Sequence, residues 1–161
     1  MYNEKKDSYI LLPDQVGRIK NRIRLLKEND IKGSNKQEIQ RLENVLNNYS
    51  LAHINHESIG IGTCFTVIEI YLGRARTFKY QLVDFLETLN NHFDETREYR
   101  RVCLDTPIGK AVYGKKVEEP FSYEISQSCT MTDGKLSTID IHIIGTIEDI
   151  KAPTKEASKQ F

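Results

Sequence analysis

The sequence lacks the features that mark several large classes of protein. Among its 161 residues there is no tryptophan, and there are only four prolines and three cysteines. No segment approaches the roughly 20 apolar residues of a membrane helix, and the first residues form no long apolar stretch of the kind found in signal peptides. We therefore expect a cytoplasmic protein with no membrane partner.

Neither sign of charge is in excess. The 23 Lys and Arg residues equal the 23 Asp and Glu residues, so the net charge indicates neither the presence nor the absence of a nucleic-acid partner. The distribution is uneven, because residues 1–50 hold ten basic and seven acidic residues whereas the remainder holds thirteen and sixteen. This division is typical of a chain whose two parts have different roles.

The metal-ligating residue types are few and scattered. Cys64, Cys103 and Cys129 form no CxxC pair, so we expect no zinc site and interpret all three as reduced core cysteines. His53 and His56 are three residues apart with no third ligand nearby, which favours a solvated pair over a metal site. The sequence therefore predicts no metal or cofactor bound by this chain alone.

Residues 13–50 have the apolar period of two helices. Pro13 suits a first helical turn, and Gly33 with Ser34 interrupts the pattern. Apolar residues recur at spacings of three and four in two runs, Val16, Ile19, Ile23 and Leu26, then Ile39, Leu42, Val45 or Leu46, and Tyr49. We predict an antiparallel helical hairpin with a coiled-coil seam.

From residue 59 the apolar period changes to that of strands. Five segments fit this pattern: 62–72, 76–86, 99–105, 121–131 and 136–150. Gly73 and the pair Asp133-Gly134 are turn signals. His142 alternates with two isoleucines and is expected to face outwards from its strand. We predict a small, twisted antiparallel sheet with one short helix, over Pro107–Tyr113, against one face.

Two polar segments and a division into three parts complete the predicted organisation. Residues 87–98 are interpreted as a surface connection between strands, and residues 151–161 as a frayed, flexible tail. We predict a hairpin over residues 1–54, a sheet domain over 55–150 and the tail over 151–161. The fold class is therefore α+β.

The stretch DTPIGKAVYGKKV, residues 105–117, is the most distinctive in the chain. A phosphate-binding loop of the GxxxxGK[ST] type would need a hydroxyl after its lysine, but Ala111 follows Lys110 and Lys116 follows Lys115. The pattern instead indicates a short helix that begins at Pro107, with Asp105 or Thr106 as its N-cap and Gly114 in a left-handed conformation after it.

Two acids lie near the predicted hairpin turn. Glu28 and Asp30 bring carboxylate oxygens to the free end of a projecting element, where they would suit a divalent cation held jointly with another protein. The alternative is that they are ordinary polar turn residues, which is the more common situation. The residues alone leave both interpretations open.

The chain resembles the bacterial Gre transcript-cleavage factors, GreA and GreB, which bind RNA polymerase. DTPIGKAVYGKKV is similar to the family's C-terminal signature S-P-I-G-K-A-L-hydrophobic-G-K-x-V at Pro107–Ala111, Gly114, Lys115 and Val117. Residues 9–28 look like the family's opening strand, turn and first helix, and residues 35–54 like its second helix. The family's acidic tip motif D-L-K-E-N-A-E-Y has no counterpart, since KENDIKGSNKQE stands in its place.

The resemblance implies a fold and a partner. The fold is an N-terminal coiled-coil hairpin followed by an FKBP-like sheet domain with one short helix. The partner is RNA polymerase, bound at the rim of its secondary channel through Asp105, Thr106, Pro107 and Ile108. Nucleic acid would be met only within that complex, with Arg18, Arg22 and Lys27 as candidate RNA contacts.

Three functional hypotheses follow. The first is a short-hairpin regulator of transcription elongation that is not itself an enzyme. The second is an active cleavage factor in which Glu28 and Asp30 help to hold a Mg²⁺ ion shared with the polymerase, whose own site hydrolyses the RNA. The third is an FKBP-like interaction module outside transcription. Prolyl isomerase activity would require an aromatic-lined pocket, of which the sequence gives no sign.

Overall fold

The computed structural model describes residues 8–54, 56–86 and 98–151, and these form a mixed α+β fold. In chain order the elements of this part of the chain are β1 (Tyr9–Leu11), α1 (Pro13–Glu28), α2 (Lys36–Asn47), β2 (Tyr49–Leu51), β3 (Cys64–Tyr71), β4 (Arg74–Val83), β5 (Arg100–Cys103), α3 (Pro107–Val112), β6 (Pro120–Thr130) and β7 (Leu136–Lys151).

The first two helices form a hairpin that is closed at its base by strands. Their facing apolar stripes meet in a buried cluster that contains Ile19, Ile23, Leu42 and Val45. β1 and β2 flank the hairpin and pair in parallel, with Tyr9 opposite Tyr49. The prediction that Tyr49 continues the second helical stripe is wrong, because α2 ends at Asn47 and Tyr49 lies in β2. The coiled-coil seam stays a prediction.

The main sheet has five strands in the order β5-β4-β3-β7-β6. The pairs β3–β4, β3–β7 and β6–β7 are antiparallel, whereas β4 and β5 are parallel. The prediction of a wholly antiparallel sheet is therefore wrong at one edge. Residues 84–99 separate these two strands, which is enough chain for the crossover that parallel pairing needs. Most of the connection predicted over 87–98 lies outside the described residues, as do residues 152–161 of the predicted tail.

The strands β6 and β7 extend beyond the rest of the sheet. β7 pairs with β3 only from Ile144 onwards, so residues 136–143 pair with β6 alone. The two strands form a ribbon whose closing turn includes the predicted Asp133-Gly134 pair. His142 is exposed on this ribbon, as predicted, and its Nδ1 lies 3.5 Å from Glu124 Oε1 across the strands.

The core of the sheet domain lies between the sheet and α3. Phe65 and Val67 of β3 and Val112 of α3 are fully buried in one cluster, which confirms the predicted single helix against one face. All three cysteines are free thiols, and Cys64 and Cys103 are buried as predicted. The prediction of a core position is wrong for Cys129, which is partly exposed because it lies in β6 of the ribbon. In the described residues, no helix is long and apolar enough to cross a membrane.

Buried polar contacts join the hairpin to the sheet. Gln15, which is fully buried in the first turn of α1, donates from Nε2 to the backbone oxygen of Phe85 at 2.6 Å and accepts from the Leu12 backbone N–H at 3.0 Å. The Ile10 N–H donates to Asp84 Oδ2 at 2.8 Å. The hairpin is thus held against the end of β4 through groups that need these partners once they are buried.

Candidate functional site

The loop between β5 and α3 has a defined conformation set by Thr106. Its Oγ1 donates to the Cys103 backbone oxygen at 2.6 Å and accepts from the Gly109 N–H at 3.2 Å. Thr106, and not Asp105, is therefore the N-cap of α3, and Pro107 occupies the first turn as predicted. Because the Thr106 hydroxyl bonds to both Cys103 and Gly109, it fixes the positions of the adjacent residues Asp105 and Pro107.

The two glycines of the 105–117 stretch have separate structural roles. Gly109 is buried against the preceding strand end, where an added Cβ would overlap the Cys103 carbonyl oxygen and lie 2.8 Å from Leu104 Cα. Gly114 has φ +79°, the left-handed conformation predicted for it, and its N–H donates to the Ile59 oxygen at 2.7 Å. The glycine pattern is accounted for by packing and chain reversal, without any phosphate ligand.

Only part of the predicted docking surface is available to a partner. Asp105 and Pro107 are exposed, whereas Thr106 is occupied by its capping contacts and Ile108 packs partly into the core. The loop therefore offers a carboxylate beside a rigid apolar ring. Burial raises the pKa of the adjacent Cys103 thiol to about 11, and its hydrogen bond with the Asp105 side chain is the next cause.

Sequence reasoning missed two residues beside this loop. Lys110 lies one turn after Pro107 on α3, and Tyr113 is the residue that directly follows the helix. Lys110 is exposed, and Tyr113 is 55% exposed although it is large and apolar in its ring. The spacing of Lys110 and Tyr113 could be read from the sequence. Their exposure could not, because Ile108 and Val112 in the same short segment face the core.

The two acids of the hairpin tip are both engaged locally. Glu28 Oε1 accepts from Arg24 Nη1 at 3.0 Å, one helical turn back. Asp30 Oδ1 accepts from the Asn35 backbone N–H at 2.8 Å and so stabilises the turn between the helices. A cation bound at either carboxylate would have to displace Arg24 from Glu28 or the Asn35 N–H from Asp30.

The basic residues proposed as RNA contacts lie on α1 and differ in their surroundings. Arg18 lies 3.8 Å from Asp14, and Lys27 forms a 3.0 Å ion pair with Glu43 of α2. Arg22 is exposed on the same helix. The Lys27–Glu43 pair is exposed and therefore weak, so a phosphate could displace Glu43, whereas the Asp14 carboxylate beside Arg18 is nearly buried.

Metal-ligating residues do not converge anywhere in the described part of the chain. Among residues 8–54, 56–86 and 98–151 there is no group of three or more His, Cys, Asp or Glu side chains arranged to hold an ion. His53 and His56 are both exposed.

A small cavity on the sheet surface contains a buried acid that the sequence did not predict. The cavity has a volume of about 190 Å³ and is lined by Glu69, Tyr71, Arg76, Phe78, Ile125 and Ile143. Glu69 is 5% exposed and accepts from the Tyr123 hydroxyl at 2.9 Å. Burial raises the pKa of this carboxyl. Two aromatic rings do line the cavity, contrary to expectation, but its volume is below the roughly 300 Å³ at which ligand pockets begin.

No family model matches the sequence, and no curated protein matches it. Among solved structures, Gfh1 of Thermus aquaticus aligns over 91% of this chain and all of its own, with 16% identity and a TM-score of 0.35. GreA factor homolog 1 of Thermus thermophilus aligns over 90% of this chain and 99% of its own, with 17% identity and a TM-score of 0.34. The elongation factor GreA/GreB of Nitrosomonas europaea aligns over 89% of this chain and 99% of its own, with 12% identity and a TM-score of 0.29. Likenesses this weak carry no argument about function.

Proposed function

We propose that this chain is a Gre-like transcription factor that binds RNA polymerase and regulates elongation. The observation that carries the proposal is the 105–117 stretch, which matches the family signature and folds as a capped helix that presents Asp105 and Pro107. In this proposal the loop docks on the rim of the secondary channel, the sheet with α3 is an FKBP-like domain, and the helical hairpin is a short coiled coil that enters the channel.

The short hairpin favours a protein that regulates by occupying the secondary channel over one that assists RNA cleavage. α1 has 16 residues and α2 has 12, so at 1.5 Å per residue they extend only about 24 Å and 18 Å. Glu28 has a cationic neighbour, Arg24, at 3.0 Å, and Asp30 accepts a backbone hydrogen bond that stabilises the turn. The proposed protein therefore blocks the channel or changes its access without bringing a Mg²⁺ ion of its own.

A transcript-cleavage assay tests the proposal against the second hypothesis. Backtracked elongation complexes are incubated with the protein, with a cleavage-competent Gre factor, or with both, and RNA shortening is followed. We expect no acceleration by the protein alone, and a concentration-dependent inhibition of the competent factor. Acceleration by the protein alone that is lost in the double variant Glu28→Ala and Asp30→Ala would overturn this and establish the cleavage-factor hypothesis.

A further inference from the structure

The two edges of the main sheet differ in how well they are protected from another strand. β5 has four residues and begins with two arginines, and a short, charged edge strand is a usual defence against unwanted pairing. β6 has eleven residues, and its register with β7 runs without a bulge from Pro120 opposite Thr146 to Thr130 opposite Leu136. It contains no lysine or internal proline, and among the described residues no strand pairs with its outer side; Ala111 and Lys115 border only its first residues, Pro120 to Ser122.

The direction of the backbone groups along β6 follows from the ladder. Hydrogen bonds in an antiparallel pair alternate, and the Met131 N–H donates to the Lys135 oxygen at 2.8 Å just beyond the strand. The odd-numbered residues of β6 therefore bond to β7. The even-numbered residues direct their N–H and C=O groups to the open edge, and all five that have an N–H are exposed: Ser122, Glu124, Ser126, Ser128 and Thr130.

The edge is complementary to itself in one antiparallel register. If Ser126 faces Ser126 of a second copy, Glu124 faces Ser128 and Ser122 faces Thr130, so all five outward residues pair with one another. A shift of two residues in one direction leaves Thr130 opposite Pro120, which has no N–H to donate. A shift in the other direction leaves Ser122 opposite the turn.

The charge pattern fits the same register. Glu124 is the one charged residue in β6. With Ser126 at the centre, the two Glu124 carboxylates lie four residues apart along the strands, about 13 Å at roughly 3.3 Å per residue, and they are largely screened from each other. Centring the pair on Glu124 would instead place two carboxylates directly opposite each other, which is unfavourable.

We propose that β6 is a homodimerisation edge, at which two copies of this chain join their sheets through antiparallel β6–β6 pairing centred on Ser126. The interface is isologous, because each residue meets its counterpart across one two-fold axis. On the other face of the strands, Tyr123 lies beside the partner copy's Cys129, and Ile125 beside its Gln127. This inference is independent of the proposed function, because it uses the edge of the sheet opposite β5 and none of the residues of the β5–α3 loop.

Disulfide trapping tests both the pairing and its register. In a Cys129→Ser background, Ser126→Cys places two thiols across the two-fold axis, where Cα atoms in a hydrogen-bonded pair lie about 5.5 Å apart, within the usual disulfide range. The buried Cys64 and Cys103 thiols do not compete. We expect a cross-linked dimer under mild oxidation. The matched control, Ser128→Cys, puts its two thiols about 13 Å apart and should dimerise without forming a cross-link, whereas an equal mixture with Glu124→Cys forms a cross-linked heterodimer.

A second variant separates edge pairing from folding. Ser126→Pro removes an N–H that points to the open edge and leaves the β6–β7 backbone hydrogen bonds in place, whereas Ser126→Ala keeps that N–H. Both variants lose the Ser126 hydroxyl that donates to Asp140 Oδ1 at 2.7 Å, so their comparison isolates the edge N–H. By sedimentation at micromolar concentrations we expect dimers for the wild-type protein and Ser126→Ala, and monomers with an unchanged circular dichroism spectrum for Ser126→Pro. Monomeric wild-type protein at every concentration, or equal cross-linking of Ser126→Cys and Ser128→Cys, would overturn the proposal.

Discussion

Arg101 Nη2 lies 2.6 Å from Asp14 Oδ2, and both side chains are almost completely buried, at 7% and 10% exposure. The pair connects the first turn of α1 with β5, and Arg101 Nε also donates to Gln81 Oε1 of β4 at 3.1 Å. It therefore links the helical hairpin to the sheet at the same strand that leads into the Asp105–Ile108 loop.

Removing only one partner of this ion pair should strongly destabilise the protein. Arg101→Met leaves the Asp14 carboxylate buried without its closest cation, and we expect the free energy of unfolding to fall by about 3–5 kcal/mol. The double variant Asp14→Leu with Arg101→Met removes both charges and should recover much of that loss. Denaturant unfolding of the wild-type, single and double variants measures the coupling, and additive effects would contradict this description.

A pair of glycine substitutions separates close packing from helix propensity. Gly109→Ala should destabilise the protein by about 1–3 kcal/mol, because its Cβ overlaps the Cys103 carbonyl oxygen and forces α3 away from β5. Gly17→Ala is the matched control. Gly17 is an exposed position within α1 with no atom within 4 Å of the added carbon, so alanine should stabilise by roughly 1 kcal/mol. Thermal unfolding distinguishes them, and equal effects would refute the packing argument.

Glu69 should make stability depend on pH in a defined direction. Burial raises its pKa above the usual 4.5, so the native state holds the proton more tightly than the unfolded chain does, and stability falls as pH rises through that window. Glu69→Gln removes this dependence. Relative to wild type, the variant should gain stability as the pH rises above the carboxyl's unfolded-state pKa of about 4.3.

The exposed Glu148 of β7 provides the control for this experiment, since Glu148→Gln changes the same charge at an exposed position of the sheet. Its stability relative to wild type should not change over the same range of pH. If Glu69→Gln behaved in the same way, the buried carboxyl would not be the source of the effect.

The three cysteines should differ in reactivity towards a thiol-alkylating reagent. Burial raises the pKa of Cys64 to about 12 and that of Cys103 to about 11, so both thiols stay protonated near pH 8 and are shielded from solvent. Cys129 is partly exposed. Mass spectrometry of the native protein should find one modified cysteine, Cys129, and all three after unfolding. Rapid modification of Cys103 would show that the β5–α3 junction opens in solution.

The local elements were predictable because each had a clear period or a turn signal. The stripes of α1 and α2, the alternating strands and the short helix from Pro107 are all present. The parallel β4–β5 pair was not predictable, because strand direction depends on a crossover that leaves no local pattern. The apolar period did not predict β1 and β2, because a strand of three residues is too short to show a period. Only the resemblance indicated an opening strand.

The candidate loop was predictable as a segment, but the roles of its residues were not. Thr106 caps α3 and Ile108 packs into the core, so both serve the fold. The exposed Asp105 and Pro107 are left as the groups that a partner can touch. The partners of Glu28 and Asp30 depend on turn geometry that the residue types alone do not specify. The buried Glu69 was missed because its neighbours come together only in the sheet.

The central claim is that this chain binds RNA polymerase through the Asp105–Pro107 surface, and the affinity for bacterial core RNA polymerase tests it most directly. Wild-type protein should bind, and Asp105→Ala and Pro107→Ala should each weaken binding about tenfold or more, as expected when a central contact is removed. Asp133→Ala, which removes an exposed aspartate from the distant β6–β7 turn, should bind as wild type does. No binding by the wild-type protein, or equal binding by all four proteins, would contradict the claim.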